Sequence, residues 1–117
     1  MEADTAAPPR TLVACLCADW CHICQAYRAT FAALRSEFAE IRFVWVDIED
    51  DAELVGDLEV ETFPTLLIGQ GERLSFVGPV IPQPAAARRL LEAAGSAQPG
   101  AADPAAQALL LRLQHSC

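Results

Sequence analysis

The sequence predicts an α/β domain built from a βαβ unit, a short helix, a β-hairpin and a helix, followed by one additional C-terminal helix. Two observations predict it. A long amphipathic stretch separates two apolar, strand-like runs, and a glycine-containing turn joins two later strand-like runs. The 117 residues are enough for one domain with one hydrophobic core.

The βαβ unit occupies the first half of the chain. Thr11 to Ala18 (TLVACLCA) is nearly all apolar, as in a central strand buried on both faces. A helix is predicted from about Cys21 to Glu40, and Ile41 to Ile48 (IRFVWVDI) forms a second, mostly apolar strand, so the two strands should be parallel with a right-handed crossover. The core stripe of the helix is predicted at spacings of three and four: Ile23, Tyr27, Phe31, Leu34 and Phe38.

A short helix and a hairpin are predicted next. Asp50 or Asp51 can cap the short helix. Thr65 to Ile68 is an apolar strand, 69–71 (Gly-Gln-Gly) supplies a turn, and Arg73 to Val77 alternates as an outer strand.

The C-terminal part is predicted to hold two helices. The first carries Ala87, Leu90, Leu91 and Ala94 and is stopped by Gly95. Residues 1–9 are then a flexible tail, 10–95 the main domain, 96–102 a linker and 103–117 a C-terminal helix, with Asp103 as its N-cap. The apolar face of that last helix is compatible with docking on the domain, with dimer formation and with binding a partner.

Charge and composition exclude several classes of function. A net charge of -8 and a pI of about 4.5 argue against nucleic acid and anionic membranes as partners. No apolar run reaches the roughly 18 residues of a membrane-spanning helix, and no secretory signal is visible. We therefore expect a reduced, cytoplasmic protein, or a periplasmic one if the sequence is trimmed.

Cys21 and Cys24 form the motif with the clearest chemistry. Their spacing puts both sulfurs on one face of a helical turn, close enough to form a disulfide. The pair lies where a strand gives way to a helix, and a helix N-terminus favours a thiolate, so Cys21 is the predicted nucleophile and Cys24 the resolving thiol. The alternative is half of a structural zinc site, completed by His22 or by the distant His115 and Cys117.

This order of elements, with Trp-Cys-x-x-Cys at the start of the first helix, resembles the thioredoxin family. A second match is 62–65 (Thr-Phe-Pro-Thr) before the third strand, where that family carries a cis-proline facing the two cysteines. The resemblance implies a thioredoxin-like fold, a four-stranded mixed sheet flanked by helices, without the leading strand and helix of full thioredoxins.

The sequence departs from the family at three places near the cysteines. The buried acid of the family falls at Cys15, its lysine partner falls at Trp45, and the usual Gly-Pro between the cysteines is His22-Ile23. The acid helps to move the proton of the second cysteine, so Cys24 lacks that assistance here.

Further residues are assigned around this motif. His22, if protonated, is predicted to favour the thiolate of Cys21, and the alternative is a solvated histidine with little effect. Trp20 is predicted to shield the rim and contact substrate, or to be a plain core aromatic, and the backbone at Phe63 and Pro64 could pair with an extended substrate.

The remaining cysteines are predicted to be less important. Cys15 and Cys17 point to one face of the first strand as small core residues, with Cys15 the possible auxiliary thiol beneath Cys24. Cys117 is expected to be an incidental free thiol.

The predicted function is that of a thiol–disulfide oxidoreductase, most simply a protein disulfide reductase that cycles between a Cys21–Cys24 dithiol and disulfide. It would need no metal or organic cofactor. Disulfide-containing proteins are the expected substrates, and a reductase or a small thiol supplies electrons. The alternatives are a redox-slow interaction module, acting as an adaptor or holdase, and an exported thiol oxidant.

Overall fold

The computed structural model describes residues 11–93 and 103–115. Within them, one four-stranded sheet is flanked by helices, which confirms the predicted fold class. The strands are β1 (Thr11–Cys17), β2 (Arg42–Asp47), β3 (Thr65–Gln70) and β4 (Arg73–Pro79). The helices are α1 (His22–Glu37), α2 (Ala52–Val55), α3 (Pro84–Glu92) and α4 (Pro104–His115).

The strands lie in the order β2-β1-β3-β4. β1 pairs in parallel with β2 and antiparallel with β3, and β3 pairs antiparallel with β4, so the sheet is mixed as predicted. β1 is therefore a central strand, and its near-continuous apolar sequence follows because helices cover both faces of the sheet.

The two faces of the sheet bury different side chains of β1. Its odd-numbered residues, from Val13 to Cys17, join a cluster with α1 and α3. Its even-numbered residues, from Leu12 to Leu16, join a cluster with α2 and α4 on the opposite face. This division follows from the alternation of side chains along a strand, and it places three cysteines, Cys15, Cys17 and Cys24, in the first cluster.

Several element boundaries differ from the prediction. α1 ends at Glu37, because the chain turns at Phe38, whose N–H donates to the carbonyl of Leu34. The buried stripe of α1 starts at Cys24, whereas Ile23 is 48% exposed, contrary to the prediction. β3 and β4 both extend further than predicted, so that the turn between them shortens to Gly71 and Glu72, where Gly71 has a φ of 58°.

The C-terminal helix α4 docks on the domain, which decides among the three alternatives left open by its sequence. Its buried side chains lie against the sheet face opposite the cysteines: Ala106, Leu109, Leu110 and Leu113. The carboxylate of Asp103 accepts a hydrogen bond from the N–H of Ala106 at 3.1 Å, as expected of an N-cap.

Polar contacts hold α4 at both ends of the same face. The side chain of Gln107 accepts the N–H of Leu74 and donates to the carbonyl of Glu72. The guanidinium of Arg42, at the start of β2, donates to the carbonyl of Leu113 at 3.0 Å. α4 is thus part of the packed domain.

No helix in the described part of the chain is both long and apolar enough to cross a membrane. The predicted N-terminal tail, the stop at Gly95, the linker 96–102 and Cys117 lie outside the described residues.

Candidate active site

Cys21 lies at the N-cap of α1, directly after the loop that follows β1. Its backbone is extended (φ -90°, ψ 120°), and its carbonyl accepts the N–H of Gln25 at 3.0 Å, the first hydrogen bond of the helix. Because Cys21 is the N-cap, it lies beside the free N–H groups and the positive end of the helix dipole. The first turn carries no acidic residue that would offset this positive potential. Because Cys21 is a partly exposed free thiol here, it is placed as a nucleophile requires.

The disulfide in the structure differs from the predicted one. Cys24 is bonded to Cys17, with Cα atoms 5.7 Å apart, and Cys21 is not part of the bridge. Cys17, which the sequence suggested as a small core residue, is the third cysteine of the site. The sequence analysis named Cys15 as the possible auxiliary thiol, but Cys15 and Cys17 point to the same face of β1, and the position of α1 brings Cys17 beside Cys24.

The geometry at the end of β1 explains this pairing. Cys17 is the last residue of β1, and Cys24 is the first buried residue of α1, so the two side chains meet where helix and strand approach each other. The N–H of Ala18 also points at the sulfur of Cys24 at 3.4 Å. This donor would stabilise negative charge on Cys24 once the bridge opens.

Cys15 precedes Cys17 by two residues in β1 and therefore lies further from the start of α1. Its sulfur is 3.9 Å from that of Cys17, and the residue is fully buried. Burial raises the pKa of Cys15 to about 12, partly offset by the charge of Arg28. Cys15 therefore remains a neutral thiol near pH 7, and its predicted role as an auxiliary thiol stays a prediction, since the cysteine bonded to Cys24 is Cys17.

The positions that carry the acid and lysine of the family are adjacent in the structure. Cys15 pairs with Trp45 across β1 and β2, and the guanidinium carbon of Arg28 lies 4.5 Å from the centre of the Trp45 ring. At the two positions where the resemblance implies an acid and a lysine, the structure therefore has a buried thiol and an indole.

Tyr27 adds a buried hydroxyl to this cluster. The side chain is 1% exposed, and its hydroxyl has no hydrogen-bond partner among the described residues. Burial raises the pKa of Tyr27 to about 12, with a smaller contribution from Cys15. An unpaired buried hydroxyl costs about 1–3 kcal/mol of stability.

Trp20 and Phe63 form the rim beside Cys21. Their rings meet edge to face, with centroids 5.6 Å apart, and the indole N–H donates to the Glu49 carboxylate at 3.0 Å. Trp20 is nevertheless 61% exposed, so it is a surface aromatic of the site and not a core residue. The peptide bond between Phe63 and Pro64 is cis, and the Pro64 carbonyl accepts the N–H of Val80 at 3.0 Å.

His22 is the first residue of α1, and its side chain is exposed. It lies next to Cys21 in the chain, at the helix end where it was predicted. Its influence on the Cys21 thiolate stays a prediction.

Asp47, which sequence reasoning did not single out as a site residue, anchors the loop that carries Trp20. Its carboxylate accepts three backbone N–H groups, from Asp19 at 3.0 Å, Glu49 at 2.8 Å and Asp50 at 2.9 Å. These bonds, with that from Asp50 contributing most, lower the pKa of Asp47. The position of Asp47 at the end of β2 could have indicated this role. Since β1 and β2 are parallel, their carboxyl ends lie at the same edge of the sheet, next to the loop that follows β1.

The carboxylates of Asp19, Asp47 and Asp50 come within 4.8 Å of one another. Because both oxygens of Asp47 already accept backbone N–H groups, the arrangement is accounted for as a loop anchor.

Replacing Asp47 with asparagine is expected to destabilise the fold by about 1–3 kcal/mol at pH 7, because an amide N–H₂ would face a backbone donor. The pKa of Asp47 is lowered in the folded protein, so its contribution is present above the unfolded value near 4 and is lost as the pH falls through the folded value. Urea unfolding of both proteins should therefore give a larger difference at pH 7 than at pH 2.5.

Asp50→Asn is the matched control for this prediction. Asp50 offers Asp47 its backbone N–H, which the substitution keeps, and its own pKa is raised, chiefly by the neighbouring Asp47. Removal of its charge should leave stability at pH 7 unchanged or slightly higher. Equal losses in the two variants would contradict an anchoring role for Asp47.

Known proteins with similar sequences were identified by comparison. A protein-family model described as Thioredoxin matches residues 3–82. Thioredoxin of Mus musculus is 31% identical over 64 residues, which cover 55% of this chain and 61% of the mouse protein. Thioredoxin H2-1 of Oryza sativa subsp. japonica is 30% identical over 54 residues, covering 46% of this chain and 39% of the rice protein. The match therefore spans less than two thirds of either relative.

Solved structures share the fold. Mitochondrial thioredoxin 3 from Saccharomyces cerevisiae, in its oxidised form, superposes with a TM-score of 0.63 at 24% identity, covering 72% of this chain and 78% of the yeast chain. The thioredoxin of Fasciola hepatica gives a TM-score of 0.66 at 21% identity, covering 72% of this chain and 80% of the other. At these identities the likeness is one of fold.

Proposed function

This chain belongs to the thioredoxin family, and on that premise we propose that it is a thiol–disulfide oxidoreductase that reduces disulfides in proteins. The observation that carries the proposal is the environment of Cys21. A free, partly exposed thiol lies at the start of a helix, and a buried cysteine, Cys24, follows one turn later. In the reduced protein, where the bridge of Cys24 to Cys17 is open, this arrangement lets Cys21 attack and Cys24 resolve.

The proposed cycle uses only sulfur. The Cys21 thiolate attacks a substrate disulfide, which forms a mixed disulfide and releases one substrate thiolate. The Cys24 thiolate then attacks the sulfur of Cys21 and releases the second substrate thiolate, so the substrate is reduced by two electrons. The N–H of Ala18 supports negative charge on Cys24 during this step. Neither step draws on a metal or an organic cofactor.

Exposed apolar side chains around Cys21 suit a protein substrate. Among the described residues, the large exposed hydrophobic side chains are Trp20, Ile23 and Ile81. Trp20 and Ile23 flank Cys21 in the chain, and Ile81 follows Val80, whose N–H bonds to Pro64. A hydrophobic rim around a reactive thiol favours an unfolded or extended chain over a small polar disulfide.

The electron donor is proposed to be a reductase or a low-molecular-weight thiol. The oxidised protein must be reduced again after each turnover, and Cys21 is the accessible sulfur at which a donor would enter. The reduction potential measured against glutathione determines the direction: a reducing value supports the reductase, whereas a strongly oxidising value would instead support a thiol oxidant.

A second candidate function is a redox-slow interaction module. The specific observation in its favour is the pairing of Cys15 with Trp45, which places no carboxylate at the position of the family's proton acceptor. Resolution by Cys24 would then be slow, and the hydrophobic rim would serve mainly to hold a partner.

Catalysed insulin reduction distinguishes the two candidates. Insulin is mixed with dithiothreitol in the presence and absence of the protein, and precipitation of the free B chain is followed by turbidity. The reductase is expected to bring precipitation forward in proportion to its concentration. A rate equal to that of dithiothreitol alone would reject the reductase and favour the interaction module.

A further inference from the structure

We propose that Cys17 is a third redox-active thiol. It replaces Cys21 as the disulfide partner of Cys24. The oxidised protein then contains a Cys17–Cys24 bridge, and Cys21 is again a free thiol. The inference rests on the proposed function in one respect: the substrate disulfide is taken as the oxidant that first forms the Cys21–Cys24 bridge. Its starting observation is that Cys24 is bonded to Cys17 while Cys21 is free.

The exchange is balanced without an external reagent. The two steps of the proposed cycle leave a Cys21–Cys24 bridge. Cys17 then gives up its proton as its sulfur attacks that of Cys24, the bond between Cys24 and Cys21 breaks, and Cys21 leaves as a thiolate. One disulfide is broken and one is formed, so no net oxidation occurs. The proton lost by Cys17 ends on Cys21 or in solvent.

The surroundings of the three sulfurs favour this direction. The exchange leaves the neutral bridge between two buried residues, since Cys17 is 0% and Cys24 is 1% exposed. It places the thiolate on Cys21, where the free N–H groups at the start of α1 and the helix dipole stabilise negative charge. In the alternative, with Cys17 as the free sulfur, a neutral thiol would be buried in an apolar cluster and the bridge would lie at the partly exposed Cys21.

The exchange ends at Cys17, although Cys15 lies within reach. Cys17 is the residue whose sulfur bonds to that of Cys24, whereas Cys15 lies two residues earlier in β1 and its sulfur is 3.9 Å from that of Cys17. Because both thiols are equally buried, the position of Cys17 beside Cys24 is what selects it. Cys15 and Cys17 are thus two fully buried cysteines on one strand face, of which only one takes part, and this makes them a matched pair for experiment.

Burial also gives the stored bridge a distinct property. An external thiol cannot reach Cys17 or Cys24 directly, so the bridge reopens when Cys21 attacks Cys24 in the reverse exchange. The oxidised protein would therefore still carry a reactive surface thiol, which could capture a second substrate as a mixed disulfide while the resolving cysteine is occupied.

Bridge mapping in the wild-type protein tests the inference directly. The fully reduced protein is oxidised with glutathione disulfide, quenched in acid and alkylated with N-ethylmaleimide under denaturing conditions. Cleavage after Arg10 and Arg28 and before Asp19 places Cys15 and Cys17 in one peptide and Cys21 and Cys24 in another. A Cys17–Cys24 bridge links the two peptides, whereas a Cys21–Cys24 bridge lies within the second. Mass spectrometry should find the linked pair as the main oxidised species.

Two variants show which cysteine of the first peptide forms the bridge. Cys15→Ala is expected to keep the linked pair, and Cys17→Ala to replace it with the bridge inside the second peptide. Iodoacetamide applied to the native oxidised proteins should label Cys21 at least roughly tenfold more in wild type and Cys15→Ala than in Cys17→Ala, because only the last holds Cys21 in a disulfide. Oxidised wild-type protein with Cys17 alkylated and Cys21 bridged to Cys24 would overturn the inference.

The insulin assay separates this inference from the proposed function. Oxidation by glutathione disulfide requires no protein substrate. A linked pair of peptides without catalysed insulin reduction would reject the reductase but support the role of Cys17. Insulin reduction with the bridge confined to the second peptide would support the reductase and reject the role of Cys17.

Discussion

Replacing Cys21 with serine is expected to lower the catalysed rate of insulin reduction at least roughly 100-fold, to that of dithiothreitol alone. A hydroxyl at this position cannot form the mixed disulfide with which the proposed cycle begins. The substitution is nearly isosteric at a partly exposed site, so the fold should persist, and unfolding in urea checks that it does.

Cys15→Ala is the control for this prediction, since it also removes one sulfur from the same region. Cys15 is fully buried and its pKa is raised to about 12, so the rate should stay within about twofold of wild type. If Cys21→Ser kept more than about a tenth of the wild-type rate, Cys21 would not be the attacking thiol.

Replacing Leu110 with alanine is expected to destabilise the protein by about 2–5 kcal/mol. Leu110 is 0% exposed and packs directly on β3, since a Cβ added at Gly69 would meet both of its terminal methyl groups at 2.5 Å. Truncation would leave a cavity between sheet and helix that neither can easily close. Because domains of this size are stable by only about 5–15 kcal/mol, the loss is a large fraction of the total.

Leu111→Ala provides the control for Leu110, with the same chemical change one residue later in the same helix. Leu111 is only partly buried, so its replacement should cost less than about 1 kcal/mol. Urea unfolding at pH 7 measures both. Equal losses would mean that α4 does not dock as described, and the disulfide pattern should be unchanged in both variants because the cysteines lie on the opposite face.

The role of α4 could not be predicted from its own sequence. Its leucines define an apolar face, but an apolar face is equally suited to the sheet, to a second copy or to a partner. The sheet face formed by Leu12, Ala14 and Leu16 requires a cover, and in the structure α4 provides it. The deciding facts were the alternation along β1 and the closeness allowed by Gly69, and neither belongs to the helix.

The sequence by itself determined the order of the elements, the central position of β1 and the place of Cys21 at the start of a helix. These follow from local periodicity and from residues that begin or end helices, which act within a few positions of the chain. Only the tertiary structure decided that Cys24 pairs with Cys17, that Asp47 holds the loop before Cys21 and that α4 closes the second face. Each of these depends on how closely two separate secondary-structure elements approach each other, because a disulfide, a hydrogen bond and a packed leucine all act over a few ångströms.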